Sequence, residues 1–179
     1  SYIIYAPLIA GMCTLMYEGT PIRPDPGIWW QLVEKYKVNV MFSAPTAIRV
    51  LKKHENSWLH KYDLSSLKHL FLAGEPLDQP THEWIMGELK LPVIDNYWQT
   101  ETGWPILSTV RGIEDTKIKF GTPSFPVYGY DLRIFREDGT ECDANEKGIV
   151  GIVPPLPPGC LSTIWGDDER FVSTYFSLF

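Results

Sequence analysis

Tyr97, Trp98, Gln99, Thr100, Glu101, Thr102 and Gly103 place a phenol, an indole, an amide, two hydroxyls, a carboxylate and a glycine in seven consecutive positions. A hydroxyl beside a carboxylate suits magnesium–phosphate chemistry: the hydroxyl donates to a phosphoryl oxygen while the carboxylate holds the metal that neutralises it. Tyr97 adds an aromatic face for a base, and Asp95 a carboxylate near the end of the preceding strand. The same string also has a plainer reading, in which Thr100, Thr102 and Gly103 cap and turn a helix start and Trp98 fills core. Two shorter stretches, Ser43-Ala44-Pro45 and Gly74-Glu75-Pro76, are candidate loops, the second being ordinary turn material in its own right. His82-Glu83 begins like a zinc-protease helix, but Met86 stands where the second histidine belongs, so no zinc site is expected. Cys13, Cys142 and Cys160 are odd in number and widely spaced, which favours isolated thiols in a reducing compartment over a disulfide framework.

The elements that position these groups alternate between two periods. Residues 12–18 read as a buried strand, closed by Gly19 and the turn region of Pro21 and Pro24. Asp25 is placed to cap a helix with Pro26 at its first position, followed by a stripe of Ile28, Trp29, Leu32, Val33 and Tyr36. Residues 38–42, 67–73 and 92–98 read as strands. Between them, one helix follows Pro45, with Ile48 and Leu51 inward and Lys52 and Lys53 outward, and another is opened by Asp78 and Pro80 and carries Trp84, Ile85 and Leu89. That spacing is the spacing of βαβ units, so the fold class expected is α/β, a mostly parallel sheet with crossover helices. Past residue 105 the pattern changes: residues 129–136 and 148–153 look like antiparallel strands, followed by a proline-rich connector from Pro154 to Gly159. Asp167, Asp168 and Glu169 read as the acidic first turn of a last helix. Two segments are therefore expected, residues 1–105 and an incomplete, β-rich unit over 106–179. In an open α/β sheet ligands bind outside the carboxyl ends of the strands, which selects the loops at Ser43–Pro45, Gly74–Pro76 and Tyr97–Gly103.

Composition narrows the partners. Of 179 residues, 16 are basic and 22 acidic, and the net charge of −6 argues against a broad nucleic-acid surface. No apolar run approaches the ~20 residues of a membrane helix, so no transmembrane span is expected. The chain opens on an apolar stretch, Ser1 to Ile9, and closes on an aromatic-rich face from Arg170 to Phe179. Such faces want something further to pack on, so an internal piece of a longer chain, packing on its own remainder, is expected.

The string from Asp95 to Gly103 closely resembles the nucleotide-binding motif of short-chain acyl-CoA synthetases, members of the adenylate-forming (AMP-binding) superfamily. Ser43–Arg49, Ala73–Pro76 and Trp165–Phe171 agree with that family in the same order, so the resemblance covers essentially the whole chain. Among subfamilies it is most similar to the propionate–CoA ligases. Asn96-Tyr97 stands where acetate enzymes usually have Thr-Trp, Trp104-Pro105 follows the glycine, and Leu156 to Cys160 fits the propionate type.

The resemblance implies a two-step reaction, in which a carboxylate and ATP give acyl-AMP and pyrophosphate and coenzyme A then takes the acyl group and releases AMP. It makes residues 1–105 part of a nucleotide-binding subdomain. Gly74, Glu75 and Pro76 would line the adenine site, and Asp95, Asn96, Tyr97, Trp98, Gln99 and Thr100 the nucleotide wall, with Tyr97 stacked on adenine. Thr100 would touch the α-phosphate, Glu101 would hold magnesium, and Ala44 would lie near the coenzyme A nucleotide. Trp98 would close the acyl pocket. Ala73 matches a position where acetate enzymes usually carry valine, so propionate is expected to be preferred over acetate. The implied cofactors are ATP, Mg and coenzyme A, the partners small molecules, and the location the cytoplasm, or the mitochondrion in a eukaryote. The family's phosphate loop would lie upstream of Ser1. Its ribose-binding aspartate, hinge, phosphate-contacting arginine and catalytic lysine would lie beyond Phe179, so this segment alone is expected to be inactive. A second reading is a non-catalytic adenylate-binding remnant acting through partners. A third, an aromatic-rich sugar-binding module, is disfavoured because Trp29 and Trp84 sit on apolar helix faces.

Overall fold

A computed structural model of the chain describes residues 2–178; Ser1 and Phe179, the outer limits of the two expected segments, lie outside the described residues. Three short strands, β1 (Val40–Ser43), β2 (His69–Leu72) and β3 (Val93–Asp95), form a parallel sheet in the order β1-β2-β3. The α/β class expected from the sequence is confirmed. Ser43 stands opposite Leu72, and Leu72 opposite Asp95, so the three strands end in one row.

Period-two alternation divides the sheet into two faces. Leu70, Leu72 and Val93 point to the side covered by α3 (Pro45–Lys52) and α5 (Gln79–Leu89), where they join Trp30, Ile48, Leu51, Leu77, Ile85 and, from the single-turn helix α4 (Ser57–His60), Leu59 in the main core. Ile48, Leu70, Leu72 and Ile85 are wholly buried, each contributing about 1.5–3 kcal/mol of transfer free energy. Helix α3 starts with Pro45 at a position where no amide is needed and carries Arg49 and Lys52 in its last turn, opposite in sign to the helix dipole. Helix α5 is capped by Asp78, whose side chain accepts from the Thr81 amide at 3.0 Å, and is closed by Lys90 in the left-handed conformation.

Two sequence expectations are corrected here. Residues 12–18 are not a buried strand: they run without regular structure after α1 (Tyr2–Ile9), and Met12 and Met16 are exposed. Apolar composition there has no ladder partner among the described residues, and a strand is stable only within a ladder. Helix α2 (Ile28–Tyr36) starts from Gly27 rather than Asp25, because the Asp25 carboxylate accepts from the Gly27 amide at 2.8 Å and closes a turn ahead of the helix. Of the helix, Trp30 and Val33 are fully buried and Trp29 packs partly buried against the same core, while Tyr36 is exposed.

After β3 the chain leaves the parallel sheet. Tyr97 bridges to Leu107 of β4 (Leu107–Ser108), which pairs antiparallel with β5 (Phe125–Pro126). Strands β6 (Asp131–Phe135) and β7 (Ile149–Val153) form the expected antiparallel pair. A second, smaller core gathers Ile106, Val127 and Tyr130, with Trp104, Leu132, Ile152 and Cys160 against it. Helix α6 (Asp168–Tyr175) is capped by Asp167, which accepts from the Arg170 amide at 3.0 Å. Among the described residues no helix is long and apolar enough to cross a membrane.

Candidate nucleotide and acyl site

Because Ser43, Leu72 and Asp95 end in one row, the three predicted loops leave the sheet side by side. The Ala73 amide donates back to the Ser43 carbonyl at 3.2 Å, and the Asn96 amide to the Leu72 carbonyl at 2.8 Å, so each loop's first residue is still tied to the neighbouring strand. Ala73 is buried, and Gly74 follows with φ +95°, a left-handed conformation that glycine adopts without a Cβ penalty. Ala44 is half-buried and extended, and caps α3 through its backbone.

Glu75 is the tie between the first two loops. One carboxylate oxygen accepts from the Thr46 amide at 2.6 Å, and the other from Arg49 at 3.2 Å. Arg49 also donates to Asp78 at 2.7 Å and to the Pro76 carbonyl at 2.6 Å. The Thr46 N–H, followed by Arg49, holds the Glu75 carboxyl below the ordinary range, and Arg49 with Thr81 lowers Asp78 to about 2. The carboxylate of Glu75 therefore fastens the loop and leaves its backbone, with Gly74 and Pro76, as the surface on offer. Arg49 and Thr46 lie within the Ser43–Arg49 motif, but they meet Glu75 and Asp78 across 26 to 29 positions, and no local pattern marks that contact.

The third loop begins with a buried carboxyl. Burial pushes Asp95 up to about 6, partly offset by the Asn96 amide. The Asn96 side chain turns inward: its amide donates to the carbonyls of Ile94 and Leu72 at 3.1 and 3.3 Å, and its oxygen accepts from Ser108 at 2.6 Å. Tyr97 is partly exposed, and its hydroxyl accepts from the Gln99 amide at 3.0 Å. A 3-10 turn, Thr100–Thr102, follows. Thr102 is its internal lock, accepting from the Gln99 amide at 3.1 Å and donating to the Gln99 carbonyl at 2.9 Å. The capping role considered for Thr102 is thus realised, whereas Thr100 is exposed and Glu101 half-buried, with Tyr175 donating to its carboxylate at 2.9 Å. Trp98 lies at the edge of an aromatic cluster on the other face of the sheet, edge-on to Tyr2 (5.7 Å) and Phe42 (5.8 Å).

Together these loops form an open wall. A surface depression lined by Trp30, Leu51, Trp58 and Trp84 contains none of the predicted site residues. Among the described residues no three His, Cys, Asp or Glu side chains gather around a point that could hold a metal ion. Glu101 is a single half-buried carboxylate on this wall, and nucleotide sites commonly share magnesium between one or two carboxylates and the phosphates. Tyr130, Cys160, Leu161 and Tyr175 reach this wall from far along the chain, and no local pattern marked them.

Comparison with known proteins agrees with the resemblance. A family model described as AMP-binding enzyme matches residues 1–153. Propionate–CoA ligase of Escherichia coli (strain K12) is 59% identical over 180 residues, spanning 100% of this chain and 29% of the relative. Acetyl-coenzyme A synthetase of Wolinella succinogenes is 42% identical over 180 residues, spanning 99% of this chain and 27% of the relative. The crystal structure of an anthranilate CoA ligase in complex with anthranoyl-AMP superimposes with a TM-score of 0.77 at 21% identity, over 93% of this chain and 30% of that one, a likeness of fold. This chain thus spans less than a third of the length of these relatives. Both named curated relatives are bacterial, which lends the mitochondrial alternative no support.

Proposed function

The chain belongs to the AMP-binding enzyme family, and from that premise we propose that it forms one wall of the nucleotide and acyl site of an ATP-dependent short-chain acid–CoA ligase. The observation that carries this reading is the row of Ser43, Leu72 and Asp95, which brings the loops bearing Ala44, Ala73–Pro76 and Asp95–Glu101 to one edge of the sheet.

In the first step a carboxylate oxygen attacks the α-phosphorus of ATP, the bond to the β-phosphate oxygen breaks, and acyl-AMP and pyrophosphate form. In the second the thiol of coenzyme A, losing its proton, attacks the acyl carbon and AMP departs. Most of the catalysis in such a reaction is positioning and charge neutralisation. The adenine lies on the backbone of Gly74, Glu75 and Pro76 and against the ring of Tyr97, whose hydroxyl is already steadied by Gln99. Asn96 contributes rigidity from inside, and Asp95 and Gln99 complete the nucleotide wall. Thr100 donates its hydroxyl to an α-phosphate oxygen. Glu101 offers its carboxylate to magnesium, which when bound neutralises charge on the phosphates. Trp98 closes the acyl pocket, and Ala44 lies toward coenzyme A. Residues 1–105 form the nucleotide-binding portion, and 106–179 a second unit that supports it.

Ala73 supports propionate over acetate as the substrate: its methyl leaves room that a valine would fill, and one methylene is worth roughly 1–3 kcal/mol of discrimination. Carboxylate-dependent ATP–pyrophosphate exchange, measured with acetate, propionate and butyrate on a protein of the relatives' length carrying this segment, tests both parts. Exchange is expected to be strongest with propionate, and Ala73→Val should shift the propionate-to-acetate ratio of kcat/KM toward acetate by about tenfold. Strongest exchange with acetate refutes the pocket argument; no exchange with any acid turns the reading to a non-catalytic adenylate-binding protein.

A further inference from the structure

The turn that carries Thr100 and Glu101 is short, and its own hydrogen bonds do not fix it to the body of the protein. Its backbone carbonyls are held by residues 28 to 60 positions further along the chain, and Tyr175, further still, donates to the Glu101 side chain. The Tyr130 hydroxyl donates to the Thr102 carbonyl at 2.9 Å in a buried setting, and the Cys160 thiol reaches the same carbonyl at 3.8 Å and Tyr130 itself at 3.6 Å. The Leu161 amide donates to the Glu101 carbonyl at 2.6 Å. Between them the backbone of Gly159 lies against Gly103 so closely that a Cβ on Gly103 would come within 2.4 Å of the Gly159 oxygen. Trp104 packs on the Tyr130 ring at 5.8 Å, closing the contact on its other side.

We propose that Tyr130, together with the Gly159–Leu161 segment, is a brace that sets the position of the Thr100–Thr102 turn, making Tyr130 a positioning residue for the hydroxyl of Thr100 and the carboxylate of Glu101. The catalytic consequence rests on the proposed ligase function; the mechanical one does not. Tyr130 is suited to the task. It is buried, and burial with the neighbouring Cys160 pushes its hydroxyl well above the ordinary phenol range, so it stays a donor at any physiological pH. Its loss leaves the Thr102 carbonyl with only the weak thiol donor in a place where a missing hydrogen bond is costly. A small misplacement of groups that act by positioning costs rate without weakening capture of a substrate bound elsewhere.

The experiment is Tyr130→Phe in the full-length protein, read in two ways. Amide hydrogen exchange of the unliganded protein should be about tenfold faster over 99–104 and unchanged over β2, because one buried hydrogen bond of this kind sets roughly that factor. In ATP–pyrophosphate exchange, kcat should fall about tenfold while KM for propionate stays within about twofold. Unchanged protection over 99–104, or equal loss in every peptide, overturns the brace. Local loosening with unaltered kcat overturns its positioning role. If the wild type adenylates no acid, the functional reading fails and the exchange pattern still decides the brace. Should Tyr130→Phe fail to fold, Cys160→Ala must show the same local loosening to a smaller degree, and its absence overturns the proposal.

Discussion

The two loops richest in site residues are held by opposite means. The Gly74–Pro76 loop is fastened at the surface by charge: Glu75 and Asp78 grip Arg49, and each of these side chains is at least a third exposed. The backbone of the Gln99–Gly103 turn is fastened by neutral hydrogen bonds, through Thr102, Tyr130 and the Leu161 amide, partly in the interior, while the Glu101 carboxylate accepts from Tyr175 at the surface. Exposed ion pairs are weak and screened by salt, whereas buried neutral bonds are insensitive to salt and costly to lose. The Gly74–Pro76 loop can therefore yield at small cost, while the Thr100–Thr102 turn is held stiff, as the phosphate-side role proposed for it requires of a device that works by placing charge.

The largest effect expected from breaking this contrast is at the glycines. Gly103 and Gly74 both have positive φ, at +73° and +95°, but a Cβ on Gly103 meets the Gly159 oxygen at 2.4 Å while one on Gly74 meets nothing. Gly74→Ala should cost only the conformational strain, about 1–2 kcal/mol. Gly103→Ala adds a backbone collision and should cost about 3–4 kcal/mol in urea unfolding. Equal losses at the two sites would mean that the turn gives way as readily as the loop.

Asp95 sharpens the comparison, because it is a titratable group placed beside the neutral region. Its folded pKa of about 6 lies above the ordinary 3.8. Between these values the folded chain keeps a proton that the unfolded chain has released, so this contribution to stability is full below about pH 4 and is lost as pH rises through 6. Asp95→Asn removes that slope. The variant should gain stability over the wild type at neutral pH, at most about 3 kcal/mol for a shift of this size, and gain little near pH 4. Buried His82 acts in the opposite sense, its pKa lowered by burial, so that stability falls as pH drops below 6.5; its contribution is common to both proteins and cancels in the difference. Wild type and variant with parallel pH profiles of stability would show that Asp95 is not held in the interior.

Much of this architecture was legible in the sequence. The first two strands end close to Pro45 and Gly74, which interrupt a period-two pattern, whereas the third stops at Asp95, short of the 92–98 that the pattern suggests. The carboxyl-end rule selects the three loops all the same. The misreadings have local causes. Residues 12–18 are apolar enough for a strand, but composition does not reveal whether a partner strand exists. The stripe read for α2, Ile28, Trp29, Leu32, Val33 and Tyr36, omits Trp30, and Asp25 looks like its cap whereas it closes a turn onto Gly27. Within the Asp95–Gly103 string, nothing distinguishes a threonine that locks the turn from one that leaves it exposed, since both lie in the same three residues. Tyr130 and Cys160 were out of reach for a different reason: they meet Thr102 across 28 and 58 positions, and contacts at that separation leave no periodic trace.

The smallest effect is the most specific test of how the Gly74–Pro76 loop is held. Glu75→Gln keeps an oxygen for the Thr46 amide and removes only the charge that faces Arg49. Since both side chains are about a third exposed, the pair should contribute only about 0.5 kcal/mol at low ionic strength. The difference between wild type and variant, read from urea unfolding, should shrink toward zero in concentrated sodium chloride, because screening reaches an exposed pair. Tyr130→Phe, run alongside, should lose the same stability at both salt concentrations, because no charge takes part in its contact. A Glu75→Gln loss that persisted in salt would mean that the Arg49–Glu75 contact is not screened as an exposed ion pair is, and the two loops would then not differ in their response to salt.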